Sequence, residues 1–302
     1  MNTQTDLKIL HEQLIEKIKS ETNTKMSENI AHMQAESVKA QANCACDMDS
    51  LKFSGANISE LQKLEQQEAE ANDKEFLEQD QFMAQTSTNL NLPDELDIES
   101  NFLPSDAHIL TPSWSDTFSD TIEDNPLVDS NDLSAQAVVG GGNCKNIWNW
   151  AKGAGGGCIG GTASNTQVAT WVFWFKPSVS RFYAIKPKFV FNGYYISKAS
   201  DRWYNCKRSN VKISAQTNVY QYNWKGLSSV NLVNINSQNI NRNRRLDDTR
   251  YTNYSALLGK DDWAAIVCSV KVYVRAQGSG SYSKTDFSTG ANKVCVPHVI
   301  IN

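Results

Sequence analysis

No glutamate follows Glu123 in this 302-residue chain, no arginine precedes Arg181, and no methionine follows Met83. Only Gly55 represents glycine before Gly140, and residues 86–136 hold eleven acids without a single lysine or arginine. Absences this one-sided exclude a single averaged globular domain. Residues 1–136 carry 8 bases against 27 acids, a net charge of −19, and residues 137–302 carry 21 bases against 6 acids, a net of +15. The overall charge of −4 is a cancellation, so charge per region is the informative quantity.

Long apolar runs are also missing. Val168–Phe175, the longest strongly apolar stretch, falls far short of the roughly 18 to 20 residues that span a bilayer. The first twenty residues spread their charges and hold no apolar block of the kind a secretory signal needs. None of the seven cysteines has Cys-x-x-Cys spacing, and Cys44 and Cys46 lack a second pair of ligands, so no metal site is expected. Cys144, Cys158, Cys206, Cys268 and Cys295 are candidates for disulfides; five is odd, which leaves at least one free or bonded to another chain. No Gly-x-Ser-x-Gly, His-Glu-x-x-His or P-loop motif is present. In the basic half the one histidine, His298, reads as a solvent-facing strand residue, and Asp261 and Asp262 read as turn residues. A cofactor-free binding protein is expected, not an enzyme.

What is present divides into three regions. Residues 1–85 read as helical and leader-like: Leu7, Leu10, Leu14 and Ile18 recur at helical steps from about Asp6 to Lys39, and a second helix starts near Ser59, where Ser-Glu-Leu-Gln fits a capping box. Its stripe runs through Leu61, Leu64, Phe76, Leu77 and Phe82. Residues 86–141 read as an acidic linker, disordered or extended, whose isolated Leu110, Trp114 and Phe118 can dock on a surface. Residues 142–302 read as a basic, aromatic-rich β-domain with strands at Gln167–Phe175, Arg181–Ile185, Phe189–Ile196, Val211–Trp224, Ser228–Ile235, Ala264–Ala276 and Val294–Ile301. The fold class is therefore an all-β C-terminal domain, an antiparallel β-sandwich or barrel-like, preceded by an α-helical and partly disordered acidic N-terminal region.

The composition flips at Ala137-Val138-Val139-Gly140-Gly141, just after Leu133-Ser134. This junction resembles the double-glycine leader of precursors exported by peptidase-containing ABC transporters. The resemblance implies a leader recognised in the cytoplasm and cut after Gly141, with Val138 as the aliphatic anchor and Gly140 and Gly141 admitted to a narrow groove because neither has a Cβ. It implies an export ABC transporter with a peptidase domain as partner, a cytoplasmic precursor, and secreted material beginning at Gly142 or Asn143. The alternative is a flexible glycine hinge.

Two clusters are candidates for ligand binding. Tyr194, Tyr195, Trp203 and Tyr204 lie near Arg202, Lys198 and Lys207, and rings beside cations suit a sugar face or an anionic headgroup. Arg242, Arg244 and Arg245, in Asn241-Arg-Asn-Arg-Arg, read as a basic loop for phosphate or sulfate, with nucleic acid the less expected partner. The polar run Ser209–Asn241 also fits a membrane-inserting β-hairpin with its turn near Lys225-Gly226. The expected function is an exported precursor whose acidic leader is removed near Gly141 to release a domain that binds a carbohydrate or anionic cell surface. A homo-oligomer is compatible with that reading. The alternatives are a pore-forming toxin with an N-terminal propeptide, and an uncleaved intracellular interaction protein whose acidic tail folds back on its own basic domain.

Overall fold

The computed structural model describes residues 3–42, 48–87, 106–121, 142–154, 161–202 and 204–302. Three helices come first: α1 (Thr3–Ala42), α2 (Met48–Phe53) and α3 (Ile58–Ser87). The cap of α3 is Asn57, whose side-chain oxygen accepts from the Glu60 amide at 3.3 Å, two residues earlier than the Ser59 box suggests. Fourteen antiparallel strands follow: β1 (His108–Leu110), β2 (Trp114–Thr121), β3 (Cys144–Lys145), β4 (Ile147–Lys152), β5 (Thr162–Phe175), β6 (Arg181–Ser200), β7 (Arg208–Gln221), β8 (Asn223–Ser237), β9 (Asn239–Tyr251), β10 (Tyr254–Leu258), β11 (Ala264–Gln277), β12 (Tyr282–Phe287), β13 (Lys293–Cys295) and β14 (Val299–Ile301).

They form a β-sandwich. One sheet runs β2-β5-β11-β7-β8; the other, nine-stranded, is organised around β6. That strand crosses Pro187 without interruption and changes partners along its length, meeting β10 and then β9 on one side and β14, β13 and β12 on the other. Gly193 lets β12 approach β6 closely: a Cβ there would lie 2.3 Å from the Phe287 ring. Alternation assigns the faces. Trp171, Phe173, Ile266, Cys268, Val270 and Val272 point into the central core with Phe189, Phe191 and Tyr195 from the opposite sheet. Val172, Ala265 and Val267 point outward, where Leu14, Ile15 and Ile18 of α1 cover them beside Trp114, Trp174, Tyr220 and Trp224. On the far side Phe76 and Met83 of α3 pack on Tyr194, Ile196 and Tyr282. The order of layers is α1, sheet, sheet, α3.

Several expectations need correction. Residues 108–110 and 114–121 of the expected linker are strands: β1 pairs with β14, and β2 pairs with β5 from Trp114↔Val172 to Thr121↔Asn165. The other residues of 86–141, apart from Thr86, Ser87 and those between 106 and 121, lie outside the described residues. The Asn241–Arg245 loop is part of β9, hydrogen-bonded to β6 along its length. The hairpin turn of β7 and β8 is at Tyr222, at a φ of 64°, not at Lys225-Gly226. β7 is an interior strand, and insertion of this hairpin into a membrane would first strip it from β11 between Ala265↔Tyr220 and Gln277↔Arg208. Among the described residues no helix is long and apolar enough to cross a membrane.

Candidate functional site

The strand register builds a platform on the outer face of β9, β6, β12 and β4. Residues directly opposite in antiparallel strands share a face. Tyr282 stands between Lys152 and Lys198, Lys284 between Trp150 and Ile196, and Asp286 between Trp148 and Tyr194. Across β6 the rows continue, with Asn241 beside Lys198, Asn243 beside Ile196 and Arg245 beside Tyr194. The result is three rows of four side chains, in which three lysines and an arginine lie among four aromatic rings. Lys284 Nζ lies 5.6 Å from the Tyr194 ring centre and 5.9 Å from that of Trp148, and Lys152 Nζ lies 5.4 Å from that of Tyr282, all within cation–π range.

α3 lies across this platform and sets a carboxylate on each of its three lysines. Lys152 Nζ is 2.7 Å from Asp73, and Lys284 Nζ is 2.6 and 2.7 Å from the two oxygens of Asp80. Lys198 is ion-paired with Glu75, and Lys207 and Arg202 each reach Glu68 at 3.4 Å. Tyr282 donates to Asp73, and Tyr194 donates to Asp80 at 2.8 Å. Asn241 donates to Glu75 at 2.7 Å and accepts from Gln79 at 3.1 Å. At the centre the Phe76 ring stacks on Tyr282, with centroids 4.3 Å apart and planes 12° from parallel. Gly280 makes the approach possible: at φ +73° it turns the chain under the helix, and a Cβ would come within 2.9 Å of the Ala69 Cα.

The electrostatics follow from this contact. The Lys198 hydrogen bond, with those of Asn241 and Gln79, holds Glu75 below the usual carboxylate range. Burial, with Asp286 and Asp80 close by, pushes the Tyr194 phenol far up, so it remains a donor. Burial alone would raise Asp286, but hydrogen bonds from the Thr289 side chain and the Ser288 and Thr289 amides overcome it and hold the group low. Asp286 therefore serves as a buried acceptor that fixes the 288–289 turn and the Tyr194 hydroxyl.

The sequence candidates distribute as follows. Tyr194 and Lys207 lie under α3, Arg202 reaches Glu68 from its margin with the side chain exposed, and burial beside Glu68 and Glu65 raises Tyr204. Tyr195 is corrected: it points into the central core and offers nothing to a ligand. The arginine cluster is split by strand alternation. Arg245 joins the platform, bonded to Asp247, Asn192 and Asn292, while Arg242 and Arg244 are exposed on the opposite face. Trp203 lies outside the described residues. The residues missed were Trp148, Trp150 and Lys152 of β4 and Tyr282 and Lys284 of β12; in both strands the i, i+2 alternation of rings and lysines was the available signal. His298 is buried, not solvent-facing, and burial lowers its pKa. Among the described residues no three His, Cys, Asp or Glu side chains converge as a metal site requires.

Cys144 and Cys295 form a disulfide, and Cys206 is also disulfide-bonded. Cys268 is corrected: it is a free thiol buried in the core, where desolvation pushes its pKa well up. Cys158 lies outside the described residues, as do Val138, Gly140 and Gly141. The chain just past that junction is tied down. Ser115 of β2 donates to the Gly142 carbonyl at 3.1 Å, Val296 donates to that of Asn143 at 2.8 Å, and the Cys144 disulfide follows.

No protein-family model and no curated protein matches the chain. Among solved structures, TmCBM61 in complex with beta-1,4-galactotriose aligns at 10% identity over 60% of this chain and 85% of its own, with a TM-score of 0.17. A likeness that slight carries no weight for either fold or ligand, so the functional reading rests on the platform itself.

Proposed function

We propose that the chain is an exported precursor in which the segment ending at Gly141 masks the binding face of a basic β-domain until a transporter-associated peptidase removes it. The released domain is a binding protein, not an enzyme, and its target is a carbohydrate or anionic cell surface outside the cell. The observation that carries this reading is the placement of the Glu68, Asp73, Glu75 and Asp80 carboxylates on the cations of the platform. An acidic helix docked on a basic, aromatic surface occupies the place where an anionic ligand would bind. The disulfides favour an oxidising destination.

A cut after Gly141 also withdraws β1 and β2, because both lie upstream of it. β5 and β14 then become sheet edges with unpaired backbone groups, a template for a homo-oligomer formed by edge pairing. The intact mass of the protein in culture medium tests the proposal: the expected species begins at Gly142 or Asn143, and full-length chain outside the cell refutes it. The second reading, an uncleaved protein whose acidic segment permanently neutralises its own basic domain, is favoured by the same ion pairs and requires that no such fragment ever forms.

A further inference from the structure

We infer that the platform under α3 binds a linear polysaccharide bearing carboxylates, and that α3 occupies the ligand's path. The inference rests on the masked-precursor reading for its biological setting and on the geometry of the mask for its chemistry. From Glu68 to Asp80 the helix runs twelve residues, about 18 Å at 1.5 Å per residue. Along that length it presents carboxylates on either side of one flat apolar group, the Phe76 ring lying face to face on Tyr282. A replacement ligand must repeat that pattern: anionic groups at intervals, with an apolar face between them that can lie on a tyrosine. A pyranose ring that carries a carboxylate supplies both in one residue. Its hydroxyls match the side-chain amides of Asn241 and Asn243, and Asn241 already both donates to and accepts from α3.

Shape separates this ligand from other polyanions. Lys198 and Lys207 are almost fully covered beneath the helix, at 2% and 0% side-chain exposure, so their charges lie at the bottom of the helix's footprint. A chain narrower than a helix reaches them, whereas a planar layer of lipid headgroups does not. Nucleic acid presents phosphates on a backbone that offers few hydroxyls to the two asparagines.

The test uses the full chain and requires no cleavage. In one variant, Asp73→Asn, Glu75→Gln, Asp80→Asn and Phe76→Ala are combined, which removes three of the four carboxylate anchors and the stacked ring and leaves every platform residue intact. Hydrogen exchange of α3 reports whether the helix has lifted, and exchange of β11 and β7 reports that the sandwich is intact. Polygalacturonate, its fully methyl-esterified form, phosphatidylglycerol vesicles and single-stranded DNA are the probes. The expected result is polygalacturonate binding at least about tenfold tighter than by the parent chain, falling as salt rises. Esterification, which removes the charge and keeps the sugar, abolishes it, and so does adding Lys198→Ala and Lys284→Ala.

Binding to the esterified polymer equal to the free acid overturns the carboxylate requirement and leaves a carbohydrate binder. Preference for vesicles or DNA overturns the ligand class. A helix that remains protected after all four changes, or a lifted helix with no polygalacturonate binding, overturns the inference directly. A polygalacturonate-binding variant together with full-length chain in the culture medium refutes the precursor reading and leaves the ligand inference standing.

Discussion

Phe76→Ala separates the docking contact of α3 from the sequence stripe that first suggested a helix there. Phe76 is 6% exposed and stacked on Tyr282, while Leu77, its immediate neighbour, is 57% exposed and directed away from the sheet. Burying a phenylalanine side chain is worth about 1.5 to 3 kcal/mol. Aromatic stacking adds about 0.5 to 1.5 kcal/mol. Truncation therefore removes roughly 2 to 4.5 kcal/mol from docking, which raises the undocked fraction of α3 about 30- to 1,600-fold. Hydrogen exchange measured by mass spectrometry reads that fraction directly when docking and undocking are fast relative to exchange. Exchange in α3 is expected to accelerate by that factor while β11 and β7 keep their rates. Leu77→Ala, a change of surface apolar area only, is expected to stay within about 0.5 kcal/mol of the parent. An acceleration below about threefold in Phe76→Ala, less than 1 kcal/mol, or an equal acceleration in β11, refutes the assignment of Phe76 as the anchor.

At α1, Trp174 donates its indole N–H to His11 Nδ1 at 2.9 Å, and burial holds the imidazole below its ordinary value of 6.5 against a smaller upward pull from Glu12. That contact is complete above pH 6.5 and is lost as pH falls through the lowered value, so α1 exchange should rise on mild acidification; a rate independent of pH between 7.5 and 5 in chemically corrected data contradicts it. Added salt should loosen α3, whose anchors are screened ion pairs, and leave α1, docked through Leu14, Ile15 and Ile18, unchanged or tighter; equal responses of the two helices would remove the distinction. Cys144→Ser with Cys295→Ser opens a loop with a sequence separation of 151 and should lower stability by up to about 5 kcal/mol, read from the urea midpoint under oxidising conditions. An unchanged midpoint would show that the bond does not constrain the unfolded chain.

The sandwich was legible because its central strands obey simple alternation. Ile266, Cys268, Val270, Val272 and Val274 fall on one side of β11, and that side is the core. The cysteine count made Cys268 a disulfide candidate, but its place in step with Ile266, Val270, Val272 and Val274 puts it in the interior as a free thiol. β9 was illegible for the converse reason. Only Ile240 and Leu246 pack toward the core, and the residues between them are polar or charged, so the strand carries no hydrophobic period and exists through its ladder with β6. β4 and β12 were too short to stand out, and their outer residues acquire meaning only when the register sets Lys152 beside Tyr282 and Trp150 beside Lys284.

α3 shows where an apolar stripe misleads. Leu64, Leu77 and Phe82, all part of the expected stripe, are exposed, while Glu65, Ala69, Asn72, Phe76 and Met83 face the sheet. The surface that receives the helix is basic, so Coulomb complementarity over the whole face outweighs a few methyl groups in fixing the helix's rotation. No local spacing rule contains that information, although the −19 and +15 charges of the two regions announce that an attraction exists.

A mask held this way is weakened by the loss of its tether. While the chain is continuous, α3 meets the platform at the effective concentration of a flexible linkage, on the order of 1 mM. After a cut at the junction α3 would still be tethered through α1, β1 and β2, which lie on the same fragment and hold to the sandwich by apolar packing and backbone ladders; only when those let go must the contact form between separate molecules, and at about 1 μM protein that is a thousandfold handicap, about 4 kcal/mol. Ion pairs with partly exposed partners, such as Lys152 with Asp73, contribute only about 0 to 1 kcal/mol each, whereas Lys198 and Lys207 are covered by the helix and costly to leave unpaired, so that handicap weakens the α3 contact without by itself releasing it. The apolar packing of α1 and the β2–β5 ladder are the contacts that resist such separation. If the junction is cut, uncovering the lysines and rings beneath α3 therefore also requires that β1, β2 and α1 let go, whereas salt alone should lift α3 from its carboxylate contacts and leave α1 docked.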